Sequence, residues 1–377
     1  MKKTICINKD PNIKVSSQIV SFMLPPSVFL PISKDAKIMF TSKKVVKGEA
    51  LFKDAHTTTF SPISGTVEKI VPINDKYYLK INNDYLENDS YKGTAELTTI
   101  RIRTDFAEKV KEHPFYSWDK FTGKKILVLN GIEDEPYVAC KMMIHKNYKK
   151  EIITMLDVLR EAFKLEKVFI CLKENDRESI ESFMGYIDTY PAISLKILND
   201  TYPLEDNTIL KETLNLKDEV FLSTQEVYDM YADIIKERKR DISFVTFTGD
   251  AIKPFVLQVK KGTPLENVIE NENIQIDEHT EVYLNSLLHG HLVNVKEVYL
   301  NDDTHALYFM KKKNVKEIPC IHCGKCIEVC PFNCNPYIAY LKRNKVVDKK
   351  CSECGLCTYI CPSHISLSDW IRGDDNV

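Results

Sequence analysis

Cys320-Ile321-His322-Cys323-Gly324-Lys325-Cys326-Ile327-Glu328-Val329-Cys330-Pro331 and Cys351-Ser352-Glu353-Cys354-Gly355-Leu356-Cys357-Thr358-Tyr359-Ile360-Cys361-Pro362 are two copies of one pattern, C-x2-C-x2-C-x3-C-P. Together they hold eight of the twelve cysteines. The spacing is what a cubane iron–sulfur cluster demands: four thiolates around a compact core, three of them from one tight loop. The proline ends the loop and turns the fourth cysteine towards the other cluster. The expected ligands are therefore crossed: Cys320, Cys323, Cys326 and Cys361 on one 4Fe–4S cluster, Cys351, Cys354, Cys357 and Cys330 on the second. Gly324 and Gly355 stand at equivalent places, where backbone can pass close to inorganic sulfide. A zinc site uses two C-x2-C pairs per metal and does not account for the third cysteine and the C-P, twice over. Disulfides would need an oxidising compartment.

The rest of the composition narrows the class. The chain has 377 residues, enough for two to four domains, and a formal net charge of −2. Met1-Lys2-Lys3 is followed at once by polar residues, so no signal core develops and a cytoplasmic location is expected. The longest apolar run, Ile19 to Ile32, is broken by Pro25 and Pro26 and is too short to span a bilayer. Unpaired thiolates imply a reducing compartment, and clusters that react with oxygen imply an anaerobic cell. The twelve glycines are never adjacent and never one residue apart, which removes both a G-x-G-x-x-G loop and a Walker A loop. No basic face interleaved with aromatics points to nucleic acid.

Taken in order, residues 1–118 read as short strands and turns, with Ile5 to Ile7, Ser17 to Leu24, Ala36 to Phe40 and Tyr77 to Ile81 as strands. Gly48, then Leu51-Phe52, then Ser61-Pro62-Ile63-Ser64-Gly65-Thr66-Val67 resemble the turns of biotinyl/lipoyl-type domains. Lys53 lacks the flanks of a modified lysine, so a barrel-sandwich scaffold without a swinging arm is expected. Residues 119–240 alternate strands (Lys125 to Leu129, Val168 to Leu172, Ile193 to Leu198) with helices (Glu151 to Phe163, Arg177 to Ile187), a Rossmann-like parallel α/β unit. Residues 241–308 return to β character, with strands Phe244 to Asp250 and Pro254 to Val259. Thr263 is the expected N-cap, and Pro264 the first residue, of a helix in a β-grasp-like unit. Residues 309–377 form the two-cluster ferredoxin-type unit, helical at Tyr337 to Leu341 and Leu367 to Ile371. Cys6, Cys140 (at an expected helix start) and Cys171 read as small core residues, Cys334 as a spectator thiol, and His289-Gly290-His291 as a polar turn. Lys311, Lys312, Lys313, Lys316, Lys342, Arg343 and Lys345 flank the cysteine loops. They would raise the potential of a negatively charged cluster or dock an acidic carrier.

The ordered set of motifs resembles the RnfC family, the cluster-carrying component of Rnf-type ferredoxin:NAD oxidoreductase complexes, which includes proline-reductase-associated PrdC-type proteins. The Ser61 to Val67 turn, Asn130-Gly131-Ile132-Glu133-Asp134-Glu135-Pro136-Tyr137, Val245 to Asp250 with Gly262 to Leu265, and the twin cysteine motifs carry the resemblance. It implies a barrel-sandwich (lipoyl-like) domain, a Rossmann-like domain, a β-grasp (SLBB-like) domain and a dicluster ferredoxin domain. It also implies redox protein partners (a ferredoxin, flavoprotein or reductase), and docking to the inner face of a membrane Rnf-type complex. Asn130, Glu133 and Glu135 match the family's flavin-pocket positions. The family's glycine-rich flavin/NADH loop is missing: Phe106 to Phe115 contains no glycine, and bulky charged residues cannot bring backbone amides onto a phosphate. The expected function is relay of single electrons through two 4Fe–4S clusters between redox partners in anaerobic metabolism, with no catalytic residue and no FMN. The alternative is a flavin- and NADH-binding component of the same kind of complex.

Overall fold

The computed structural model describes residues 4–16, 18–54, 58–73, 76–86, 108, 110–111, 116, 118–237, 241–342 and 350–372. Most of the segment 106–115, where the family's glycine loop is missing, lies outside these residues, as do Arg343 and Lys345.

Near the N-terminus two small antiparallel sheets share one core. The larger runs in the order Ser27–Ile32, Lys76–Asn83, Gly65–Ile73, Lys44–Val45, and the smaller is Lys37–Ile38, Ala50–Lys53, Thr58–Phe60. Alternation along the first strand turns Val28, Leu30 and Ile32 inward onto Leu51, Phe52, Leu79 and Ile81. The two turns read from sequence bond to each other: the Gly48 amide donates to the Ser61 carbonyl (2.8 Å), and the Lys47 amide donates to Ser64 Oγ (3.1 Å). Ile5 to Ile7 is not a strand. Only Ile5 pairs, as an isolated bridge to Tyr202. Cys6 is exposed rather than in a core.

The central unit is a four-stranded, wholly parallel sheet in the order Ile193–Leu198, Lys167–Lys173, Ile126–Asn130, Glu219–Ser223. Helices α1 (Cys140–Ala162), α2 (Arg177–Ile187), α3 (Asn207–Leu214) and α4 (Thr224–Met230) connect and follow these strands. The two central strands, Ile126–Asn130 and Lys167–Lys173, are apolar runs because both faces are covered. One face packs Leu127, Leu129, Val168 and Ile170 against Ile152, Met155, Leu156 and Leu159 of α1, and Val128 and Cys171 belong to a second core with Ile209 and Leu210 of α3. Three helices have local start signals: Asp176 and Asp206 accept from backbone amides, and Ser223 with Glu226 forms a capping box. α1 has none, since its first turn follows Ala139.

A six-stranded mixed sheet follows, in the order Ile19–Phe22, Phe255–Lys260, Ile242–Thr248, Ala306–Lys311, Thr280–Leu284, His291–Leu292. Ile242–Thr248 and Ala306–Lys311 run parallel at its centre, and α5 (Leu265–Asn271) buries Leu265 and Val268 in its core. Ile19–Phe22, placed by sequence order with the N-terminal unit, instead extends this sheet, parallel to Phe255–Lys260. Thr263 does not cap α5. Its hydroxyl donates to the Lys260 carbonyl (2.7 Å), and it pairs with Leu300.

Four short helices complete the described chain: α6 (Lys325–Val329), α7 (Pro336–Lys342), α8 (Leu356–Tyr359) and α9 (Leu367–Arg372). Among the described residues, no helix is long and apolar enough to cross a membrane.

Candidate metal centres and the pocket beside them

The two cysteine loops repeat at an offset of 31 residues, and their backbones repeat with them. His322 and Glu353 have φ of 57° and 58°, Gly324 and Gly355 of 75° and 72°, Asn333 and His364 of 56° and 54°. Two left-handed residues close together reverse the chain around the thiols. The His322 amide donates to Cys320 Sγ (3.4 Å) and the Glu353 amide to Cys351 Sγ (3.3 Å), the same bond in each loop. Each glycine then opens a short helix, α6 or α8, and α7 and α9 also fall 31 residues apart.

The mutual influence of the thiols shows which lie together. Burial raises the Cys326 thiol, and Cys361 and Cys323 raise it further. Burial raises Cys357 to about 12, with Cys354, Cys351 and Cys330 adding to the rise. Cys354 rises to about 11 through burial, then Cys330 and Cys351. Repulsion of this kind acts only at short range. Cys330 therefore stands beside the second loop and Cys361 beside the first. Such thiols, grouped together, are the donor set that a cluster's iron would satisfy. Cys334 is buried, and its amide donates to Cys330 Sγ (3.2 Å). Its repeat counterpart is Ile365, also buried, so Cys334 fills a core position of the repeat. Among the described residues no three His, Cys, Asp or Glu side chains converge as the ligands of a single ion would. His289 instead meets Ser286 Oγ (3.0 Å).

The two loops have different surroundings. Leu356 of the second is buried, packing with Val329 and Tyr202, and Leu288 and Ile360 lie against the same cluster. The Tyr202 hydroxyl donates to the Cys354 carbonyl (2.6 Å). At Gly355 the chains approach so closely that a Cβ would fall 2.2 Å from the Leu288 carbonyl oxygen. Lys325, which replaces Leu356 in the first loop, is exposed, and Gly324 has open space where a Cβ would be. Neither Tyr202 nor Leu288 is marked by any sequence motif, since each acts by long-range contact.

Behind the second loop lies the C-terminal edge of the parallel sheet. Its strand order reverses between Ile126–Asn130 and Glu219–Ser223, the place where open α/β sheets bind ligands. A cavity of about 190 Å³ opens there, lined by Glu133, Glu135, Lys141, Glu205, Ser223 and His305 among others. All three sequence-derived flavin positions are close to it and internally engaged. The Asn130 amide group donates to the Glu205 carbonyl (2.7 Å) and to Asn207 Oδ1 (2.9 Å). Glu135 accepts from Ser286 (2.7 Å) and from Tyr202 (3.2 Å). Burial holds its carboxyl up at about 7.

Glu133 is decisive for phosphate. Its two oxygens accept from the Lys141 amide (2.9 Å) and the Met142 amide (3.3 Å), in the first turn of α1. Those amides, with the positive end of the helix dipole, are what a nucleotide phosphate would seek. The chain's own carboxylate already holds them. Burial raises Glu133 to about 7, opposed by the Lys141 amide. Lys141 Nζ is also spent, on Glu205 and on the Ile132 carbonyl, both at 2.5 Å. The first amides of α1 and the Lys141 ammonium are thus engaged within the chain.

Two family matches fall on these structures. Residues 106–227 match the Nuo51 FMN-binding domain, and residues 312–362 match the 4Fe-4S dicluster domain. The fold and thiol sets thus define a multidomain α/β protein with a C-terminal dicluster-type iron–sulfur domain. The chain is RnfC-like. It is 27% identical over 236 residues (57% of this chain, 28% of the relative) to the C subunit of an ion-translocating oxidoreductase complex of Haemophilus influenzae. With the corresponding protein of Buchnera aphidicola it shares 24% over 356 residues, 84% of this chain and 75% of that one. With the C subunit of the Na(+)-translocating ferredoxin:NAD(+) oxidoreductase complex of Acetobacterium woodii it shares 26% over 225 residues, 56% and 51% of the two chains. The matches span between 28% and 36% of the length of the Haemophilus influenzae and Actinobacillus succinogenes relatives.

Proposed function

We propose that this chain is an iron–sulfur electron-transfer subunit of an Rnf-type system, working between separate redox proteins and without a flavin of its own. In this reading Cys320, Cys323, Cys326 and Cys361 hold one 4Fe–4S cluster and Cys351, Cys354, Cys357 and Cys330 hold the other. When bound, such clusters supply one-electron transfer at potentials set by burial and by hydrogen bonds to sulfur. The observation that carries the reading is the influence of Cys361 on Cys326, and of Cys330 on Cys354 and Cys357 of the second loop, which supports crossed ligation. The four-part division at 118, 240 and 308, with barrel-sandwich and SLBB-like β-grasp names for its β units, belongs to the same proposal. It is supported by the paired N-terminal turns and by the parallel central strands of the mixed sheet. The relatives' names place them in ion-translocating complexes, so docking to such a complex at the inner membrane face is proposed as well.

The flavin-binding alternative has one observation in its favour, the match of residues 106–227 to an FMN-binding domain. Against it stand Glu133 on the α1 amides and the engagement of Asn130 and Glu135. One experiment separates the two. The chain is reconstituted anaerobically with iron, sulfide and excess FMN, then analysed for iron, flavin and NADH-dependent dye reduction. About eight iron atoms per chain, no retained flavin and no NADH turnover are expected. Stoichiometric flavin with NADH turnover would establish the alternative, and iron near four or bound zinc would remove the two-cluster assignment.

A further inference from the structure

Comparison of the two cysteine repeats, position by position, reveals a surface. Ile321 (60% exposed), Ile327, Ile338 and Leu341 project into solvent around the first loop and along α7. Their counterparts 31 residues on are Ser352, Thr358, Asp369 and Arg372. The repeats share what the clusters need, so this difference answers to something else. An exposed set of large aliphatic side chains costs solubility and is retained where another molecule covers it. The set is joined: α6 and α7 are in contact, and His322 Nδ1 meets Tyr337 of α7 at 2.8 Å. Ile321 adjoins Cys320 and Ile327 adjoins Cys326, so two members of the patch are chain neighbours of the first thiol set.

The charges in the same stretch of chain are predominantly positive, with Lys313 3.9 Å from Asp250. Residues 311–342 contain six lysines (Lys311, Lys312, Lys313, Lys316, Lys325 and Lys342) against Glu317 and Glu328, in a chain whose net charge is −2. An apolar centre with a basic rim is complementary to an apolar centre with an acidic rim. We infer that the face bearing Ile321, Ile327, Ile338 and Leu341 is the docking site of a small acidic electron-carrier protein, which meets the chain at the first thiol set. The second set, walled by Leu288, Tyr202 and Leu356, is the inward one. This inference rests on the iron–sulfur reading above. Anionic lipid would answer to the same signs, but the apolar residues are grouped about a thiol loop, and the longest helix carrying any of them has seven residues. A membrane-surface helix needs a longer apolar face.

The test uses the reconstituted full chain and a small acidic two-cluster ferredoxin as probe. Electron exchange is followed by anaerobic stopped-flow at several salt concentrations, for the parent chain, Ile321→Ser, Ile338→Ser and the control Ile197→Ser on the outer strand of the parallel sheet. Iron content, EPR spectrum and cluster potentials are measured first for each. The expected result is a second-order rate constant about tenfold lower in both patch variants, unchanged in Ile197→Ser, and falling with added salt in the parent, with iron, EPR and potentials constant throughout. Equal rates in all four chains, or no salt dependence, would overturn the inference. So would flotation of the parent with phosphatidylglycerol vesicles that the patch variants lose, since the face would then be a lipid site. A parent chain that takes up no iron would instead bring down the iron–sulfur reading itself, and this inference with it.

Discussion

Gly324 and Gly355 are the same residue of the same repeat, and substituting each by alanine should give unequal results. Both have left-handed φ, 75° and 72°, so each alanine incurs backbone strain of about 1 to 2 kcal/mol. At Gly324 that is the whole effect within the protein, because no atom lies within 4 Å of the added methyl. At Gly355 the methyl would stand 2.2 Å from the Leu288 carbonyl oxygen, 2.6 Å from its carbon and 3.0 Å from its Cβ. Backbone cannot swing aside as a side chain can, so the second loop must part from the 286–290 turn. Overpacking of this kind costs about 1 to 3 kcal/mol more. At tenfold per 1.4 kcal/mol, that gap enlarges the opening equilibrium of the interface by roughly 5- to 150-fold. Hydrogen exchange of the anaerobically reconstituted chain is the assay, read at the Leu288 and His289 amides, which donate to Ser286 Oγ at 3.0 and 3.1 Å. Gly355→Ala should lose protection there while Gly324→Ala keeps it. Cluster damage in Gly324→Ala would register as lost iron without exchange at 288 and 289. Equal protection in the two variants would refute the account of how the dicluster unit is seated.

Two further outcomes follow from the site. Cys330→Ala should abolish the EPR signal of the cluster assigned to Cys351, Cys354 and Cys357 and spare the other. Loss confined to the cluster of Cys320, Cys323 and Cys326 would mean that ligation is not crossed. Glu133→Gln should alter the pH dependence of stability: burial raises the folded carboxyl from 4.5 to about 7, so the folded state holds a proton that the unfolded chain releases. Wild-type stability is then lost relative to the glutamine variant as pH rises from 4.5 through 7. A difference between the two unfolding midpoints that is the same at pH 5 and pH 8 would dispose of this.

What can be read from the sequence divides by how far the deciding interaction reaches along the chain. The cysteine loops are legible because covalent spacing fixes them, and α2 because an Asp176 cap and its apolar face lie within twelve residues. The three strands that begin the α/β unit appear within a residue or two of their expected bounds, helped by the two central ones, which are covered on both faces and so are apolar runs. α1 begins at Cys140, the expected helix start, and runs on through the amphipathic stretch read from Glu151. Its first turn is satisfied by Glu133, in a loop outside the helix, and its backbone is interrupted at Tyr148 (φ −127°), so the sequence does not show the two stretches as one helix. Thr263-Pro264 has the local pattern of a cap, but the pairing with Tyr299 and Leu300 takes precedence. Asn130, Glu133 and Glu135 sit where the sequence places them, beside the cavity, and the sequence assigns them to a ligand. Only the structure reveals that their polar atoms are committed to Glu205, α1 and Tyr202.

The commitment of Glu133 and the asymmetry of the repeats bear on one another. In a nucleotide-binding α/β unit the edge beside Asn130 is where a cofactor would deliver electrons, and a partner there would need access. Here polar groups of that edge are engaged within the chain: Glu133 on α1, and Glu135 bonded to Tyr202, which bonds in turn to the Cys354 carbonyl. Tyr202 has one proton, and the shorter of its two contacts, 2.6 Å against 3.2 Å, is to Cys354. Glu135, whose carboxyl burial holds up at about 7, accepts the longer of the two bonds. The second thiol set is thereby fixed against a wall of buried, mutually satisfied polar groups. The first has exposed lysine where the second has buried leucine, and isoleucine where the second has serine and threonine. With the second set packed against these groups, the proposed exchange with a carrier falls to the side that bears the aliphatic patch.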